Sequence, residues 1–300
     1  MRADPAETRT IVSWPCARRC CELVTISLRV NKTIITKNKV LPQETKQMIR
    51  LAKGTEYQGE EASKISSTET RDLEGFAKGQ GVDLFGVADL KLFRPYRGFD
   101  TSLLKFPLAI SIGIRLSDPI LDGITVEDPT PEYASHYKTV NALLDDIALR
   151  ITNVIQSKGH TALLIPASQI TKSDLLQGAI SHKAIAAIAG LGWIGKNQLL
   201  ISPEFGPRLR LASVLTTMPL KAGESLRSRC DECEICVKAC PTHAIKSGEI
   251  GEEGWIREQV FDQDVCYRRL NRFRDDPRYG VDICGVCVKV CPFGKRSSVR

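Results

Sequence analysis

No stretch of the 300-residue chain reaches the ~18 uncharged apolar residues that a membrane-spanning helix requires, so membrane insertion is not expected. A sustained excess of one charge is also missing from most of the sequence. The formal net charge is +7, yet residues 1–50 hold ten Lys and Arg against four Asp and Glu, which leaves residues 51–300 at +1. A basic tail on a neutral body is weak support for a nucleic-acid groove, which needs its cations gathered along one face. Cysteine is absent between Cys21 and Cys230, although the chain holds eleven. A secreted, disulfide-stapled protein would be shorter and would spread its cysteines more evenly. The clustering points instead to metal binding in a reducing compartment, and hence to the cytoplasm. Hydrophobic residues at 42% and charged residues at 26% are an ordinary globular balance.

Residues 1–60 read as a poorly ordered extension. Arg18-Arg19 is a twin arginine, but Cys20-Cys21-Glu22 follows it where an export signal would carry an apolar core. Cys16, Cys20 and Cys21 read as free thiols in this tail, and Met48 is an alternative start.

Residues 61–222 read as an α/β layer domain. Ser66-x-x-Glu69 has the form of a capping box, followed by a helix that stops at Gly79–Gly81. Asp83–Val87, Leu108–Ile114, Ala162–Ile165 and Leu209–Thr217 read as strands. Between them, Tyr137, Val140, Leu144, Ile147, Ile151 and Val154 recur at spacings of three and four. They mark one apolar face of a long helix that Gly159 ends. His182–Ala189 reads as a second helix, ended by Gly190. Residues 223–300 are loop-rich, cysteine-rich and form a second domain.

That second domain carries the chemistry. Cys230-x2-Cys233-x2-Cys236-x3-Cys240-Pro241 is the spacing of the bacterial ferredoxins. Cys266 follows, and then Cys284-x2-Cys287-x3-Cys291-Pro292. Eight thiolates match two [4Fe–4S] clusters. Three closely spaced cysteines wrap one cubane, and the fourth, before a proline, crosses to the other. The expected sets are Cys230, Cys233, Cys236 and Cys291 for the first, and Cys266, Cys284, Cys287 and Cys240 for the second. The alternative is zinc, which takes four ligands per site in paired CxxC motifs, usually without the x3-Cys-Pro ending.

Gly190-Leu191-Gly192-Trp193-Ile194-Gly195 formally fits GxGxxG, but a helix precedes it where a dinucleotide fold needs a strand. Its bland reading is a helix terminator and a turn. Its functional reading is a wall for a large planar cofactor. Three residues without Cβ atoms would let the backbone approach the ring. Lys196, Asn197 and Ser202 would hydrogen-bond its rim.

The run from His182 through Gly190-Leu191-Gly192-Trp193-Ile194-Gly195-Lys196-Asn197, then Ser202-Pro203-Glu204-Phe205-Gly206, resembles the core of the epoxyqueuosine reductases and corrinoid reductive dehalogenases. Cys284-Gly285-Val286-Cys287 through Cys291-Pro292-Phe293 looks especially dehalogenase-like. The resemblance covers about residues 70–295. It implies an α/β (α+β) nitroreductase-like core fused to a ferredoxin-like double-cluster module. It also implies base-off cobalamin, reduced through the clusters by a low-potential donor such as ferredoxin or flavodoxin. On this reading His182, Gly190, Gly192, Gly195, Lys196, Asn197 and Ser202 to Gly206 contact the corrinoid.

Three departures stand out. Pro166-Ala167-Ser168-Gln169 has no carboxylate where epoxyqueuosine reductases carry a proton-donating Asp. His136-Tyr137-Lys138 keeps only the Tyr of their Asp-Tyr-His. The chain ends nine residues after Cys291, without the helical repeats that help those enzymes hold tRNA. A small-molecule substrate is therefore expected over tRNA. Tyr137 and His136 are the candidate proton donors, each against a plain structural role, with Tyr133 and Asp174 as weaker candidates. Ser168–Ala179 reads as a lid or a surface loop. The sequence thus reads as an iron–sulfur reductase, with a two-cluster electron carrier as the alternative.

Overall fold

The computed structural model describes residues 66–95, 99–168, 178–248 and 257–295. Contacts divide the chain into two units, Met1–Ala52 and Lys53–Arg300. The first unit, with Arg18-Arg19 and its three cysteines, lies outside the described residues. So do Asp174 and most of the segment expected as a lid.

A four-stranded sheet organises the second unit. Strands β1 (Leu84–Asp89), β2 (Leu108–Arg115), β3 (Ala162–Ile165) and β6 (Leu209–Thr216) lie in the order β1-β2-β6-β3. Every neighbouring pair is antiparallel. The interleaving of helices and strands along the chain suggested layers, and layers are present. It does not fix strand direction, and the antiparallel pairing makes the body α+β.

Alternation along β2 decides which helix covers which face. Ile110, Ile112 and Ile114 enter the main core with the 27-residue helix α3 (Pro131–Ser157) and helix α1 at 66–79. Ala109 points to the opposite face, beside Ile185 and Ala189 of the α4 (His182–Ile188) region. In a strand, neighbouring side chains leave on opposite sides of the sheet, so a continuous apolar run serves two cores. The α3 stripe behaves as its spacing requires. Val140, Leu144, Ile147 and Ile151 are buried, and each such side chain contributes on the order of 1.5–3 kcal/mol.

Two local details come from the structure. Helix α3 starts at Pro131, because proline is tolerated where the first N–H has no helical partner and Thr130 Oγ1 accepts the Tyr133 N–H at 3.2 Å. Tyr137 therefore lies in the second turn. Glu69 makes an ion pair with Lys158 across the fold, where a capping box would turn it back onto its own helix.

The C-terminal module has little regular structure: α5 (Ile235–Ala239), α6 (Arg257–Val260), α7 (Gln263–Arg274) and α8 (Val286–Lys289). Polar struts fix it to the body. Lys289 Nζ donates to the Ile124 carbonyl at 2.6 Å, and Lys138 Nζ to the Tyr279 carbonyl at 2.8 Å. Arg208, 1% exposed, reaches Asp118 at 3.0 Å, Asp122 at 2.9 Å and the Lys289 carbonyl at 3.3 Å.

Candidate functional site

The cysteine thiols fall into two neighbourhoods. Burial, then the nearby Cys230 and Cys233, push Cys236 up to about 11. Burial pushes Cys291 up to about 12, with Cys230, Cys236 and Cys233 adding to it. In the second neighbourhood burial raises Cys266 to about 11, helped by Cys284 and Cys240. Cys287 lies well above the usual thiol range through burial and its neighbours Cys284 and Cys266. Cys291 thus stands with the first run of cysteines and Cys240 with the second. Cys240 differs from the rest. Burial raises it, but hydrogen bonds from Thr242 and from the backbone of Ile245, Thr242 and Ala244 outweigh burial and lower it. Such a nest of donors prepares a thiolate.

A cavity of about 580 Å3 lies between the sheet body and the module. Cys240, Cys266, Cys284 and Cys287 form part of its wall, whereas Cys230, Cys233, Cys236 and Cys291 do not touch it. Tyr137, Arg210, Ser168, His182 and Asn197 line it from the body.

Helix α3 and strand β6 bring Tyr137 and Arg210 together. The Arg210 guanidinium donates to the Tyr137 hydroxyl and to Asn141 Oδ1 at 2.9 Å. Burial raises the Tyr137 hydroxyl, but the Arg210 charge and hydrogen bonds with Ser168 and Asn141 exceed it, so the net shift is downward. A phenol held this way gives up a proton more readily. Tyr133 also lines the cavity, but burial holds its hydroxyl well above the ordinary range.

Other expected site residues take different places. His136 does not line the cavity; its Nε2 accepts the Ser117 N–H at 3.0 Å, and burial keeps the ring neutral. His182 does line it, but both ring nitrogens are engaged. Nε2 lies 2.9 Å from the Pro166 carbonyl and so carries the proton, while Nδ1 accepts from Ser213 Oγ at 2.8 Å. Burial pushes its pKa down to about 4.

Most of the glycine segment lies off this cavity. Gly190, Gly192, Gly195, Lys196, Ser202, Pro203, Glu204, Phe205 and Gly206 do not line the cavity. The space a Cβ would need is already filled by the chain. It would lie 2.5 Å from the Glu224 carbonyl oxygen at Gly190, 2.2 Å from that of Ile201 at Gly192, and 2.0 Å from that of Phe293 at Gly206. At Gly195 it would meet the Ile201 side chain at 2.7 Å. These glycines allow the hairpin β4 (Trp193–Ile194) to β5 (Leu200–Ile201) to pack tightly, and let the Ser202–Gly206 turn dock against the module. Asn197 does reach the cavity, together with Gln198, Leu199 and Leu200 that follow it, and its Nδ2 donates to the Cys287 carbonyl at 3.5 Å.

Sequence reasoning missed Arg210. Its signal was a lone cation between Leu209 and Leu211 in an apolar strand. It also missed Asp282 and Lys183, which line the cavity but carry no local motif.

Residues 229–294 match the family described as a 4Fe-4S double cluster binding domain. Among curated proteins, the chain is similar to the epoxyqueuosine reductase of Listeria monocytogenes, with 33% identity over 125 residues, 41% of this chain and 32% of that protein. It is also similar to the epoxyqueuosine reductase of Synechococcus sp. strain CC9605, with 37% identity over 125 residues, 38% of this chain and 36% of that protein. The chain thus spans about a third of the length of these relatives. Among solved structures, a catabolic reductive dehalogenase in complex with 3-bromo-4-hydroxybenzoic acid shares the fold with a TM-score of 0.63. Its identity is 18%, over 78% of this chain and 33% of that one. An epoxyqueuosine reductase with a tRNA stem loop gives a TM-score of 0.51 at 19% identity, over 76% of this chain and 65% of that one.

Proposed function

We propose that the chain is a cobalamin-dependent iron–sulfur reductase in which two [4Fe–4S] clusters feed electrons into the cavity and Tyr137 supplies a proton there. The observation that carries this reading is the cavity itself, with four cluster thiols on one wall and the Tyr137–Arg210 pair on another. A pure electron carrier has no need of a proton donor facing its cluster. The dehalogenase fold neighbour adds support, and another solved neighbour is described in terms of B12-dependent dehalogenation.

A corrinoid suits this cavity better than the glycine segment. Asn197 and Ser168 offer amide and hydroxyl groups for its rim, and the neutral, fully engaged His182 gives it a wall without charge. Bound there, cobalamin would supply a redox metal able to break a carbon–halogen or strained carbon–oxygen bond. The protein's part is to bring electrons in through the cysteine module, hold a proton on Tyr137 and keep water away. The first cluster, whose cysteines do not line the cavity, receives electrons from a donor of the ferredoxin or flavodoxin type. On this reading residues 61–222 are the cofactor-binding domain, nitroreductase-like in its layers, and residues 223–300 the cluster domain.

The substrate is a small electrophile. A second reading, an epoxide carried on RNA, is favoured by the names of the relatives and by Arg268 and Arg272. These lie exposed on α7, whose Tyr267 and Arg269 line the cavity. Anaerobic reconstitution with iron, sulfide and cobalamin tests the core of the proposal: saturable binding with a blue-shifted, base-off spectrum is expected. Absence of saturable binding would leave the two-cluster carrier. Turnover of a free organohalide or epoxide against an epoxide-bearing stem loop separates the two substrates.

A further inference from the structure

Trp193 belongs to the sheet body, yet it serves the first thiol set. It is 3% exposed, and its indole N–H donates to Cys230 Sγ at 3.5 Å. Its ring meets Phe293 edge-on at 5.0 Å and lies under the Arg229 guanidinium at 4.9 Å. Trp193, Ile201 and Phe293 form an apolar screen around Cys230 and Cys291.

Reducing a cubane cluster adds negative charge to its sulfurs. A hydrogen-bond donor on a cysteine sulfur stabilises that charge. Behind an apolar screen the donor acts at low dielectric, where its effect is larger than in water. The second set has its own donor, Arg269 Nε, which reaches Cys284 Sγ at 3.3 Å, so the two sets are served separately.

We propose that Trp193 holds the reduction potential of the first [4Fe–4S] cluster above the value its four thiolates alone would give. It is a positioning residue that acts through cysteine sulfur. This assigns the Trp193 hairpin to electron entry. The inference rests on the cluster domain and stands whether or not a corrinoid binds.

The test is a potentiometric titration of the full chain, reconstituted anaerobically with iron and sulfide and followed by electron paramagnetic resonance. At the potential where the wild-type first cluster is half reduced, Trp193→Phe, which keeps a ring but removes the donor, should lower its reduced-to-oxidised ratio about threefold, while the second cluster keeps its midpoint. An unmoved first-cluster midpoint with iron retained overturns the proposal, as does an equal displacement of both clusters. Should Trp193→Phe lose iron, Trp193→Leu decides in its place, and an unmoved midpoint there overturns it.

Discussion

Arg210 donates a hydrogen bond to the Tyr137 hydroxyl at 3.1 Å while its guanidinium carbon lies 4.2 Å from the centroid of the same ring. One cation thus serves the phenol twice, as a donor to the oxygen and as a charge over the π face. Asn141, one helical turn beyond Tyr137, holds the guanidinium in place through its Oδ1. The arrangement favours phenolate, and so favours release of the proton.

Tyr137→Phe should therefore reduce turnover by about 10²–10⁴-fold, the usual range for a lost general acid. Iron content and the resonance spectra of both clusters should be unchanged. Full turnover in this variant would remove Tyr137 from the mechanism. Arg210→Gln should move the Tyr137 ionisation upward, since burial would then act unopposed by a cation; a difference ultraviolet titration reads this directly.

His182 gives a pH dependence with a defined sign. The unfolded imidazole titrates near 6.5 and the folded one at about 4. Between these values the unfolded state binds more protons, so stability rises with pH and is lost as pH falls below 6.5. From pH 7.5 to 5.5 this group should cost about 1 kcal/mol. Denaturant melts of anaerobic holoprotein should show that loss in the wild type, with His182→Gln losing correspondingly less.

Reconstituted protein should hold about eight iron atoms per chain, from its two sets of four thiols. On the crossed assignment, in which each run lends its last cysteine to the other set, Cys291→Ala should remove the cluster of Cys230, Cys233 and Cys236. Cys240→Ala should remove the one bordering the cavity. Resonance spectra that reverse this assignment would refute the crossed ligand sets.

Gly192→Ala should destabilise the fold by about 1–3 kcal/mol, because the added methyl would overlap the Ile201 carbonyl oxygen. A thermal melt measures the effect. Gly206→Ala should be at least as damaging, since its φ of +56° disfavours a side chain and its Cβ would strike Phe293. Neither effect should depend on added cobalamin.

Much of this architecture is legible in the residues. Ala162–Ile165 is a strand at the expected limits, Leu108–Ile114 falls one residue short of β2, and the α3 stripe needs only helical spacing. The cysteines are read by spacing alone, since their chemistry depends on local geometry. What escapes is long-range. Gly190, Gly192 and Gly206 are glycines because Glu224, Ile201 and Phe293 press against them, and none of those contacts leaves a local signature. The glycine pattern reads in sequence as a ligand cradle, while the packing that demands glycine there appears only in the fold. His136 looked catalytic beside Tyr137, yet adjacent residues on a helix face different ways, and Ser117 claims it. Arg210 belongs to a strand distant in sequence from Tyr137, so the pair exists only after folding.

The cavity draws part of its wall from the cysteine module, where Cys240, Cys266, Cys284 and Cys287 stand together. Burial raises the Cys266 and Cys287 thiols, so metal must displace their protons, and the order of this wall is linked to cluster loading. Binding in the cavity is thereby contingent on iron loading. A chain stripped of its second cluster by oxygen would lose a conducting partner and, with it, one side of the chamber, and inactivation would register as a loss of affinity as well as of current.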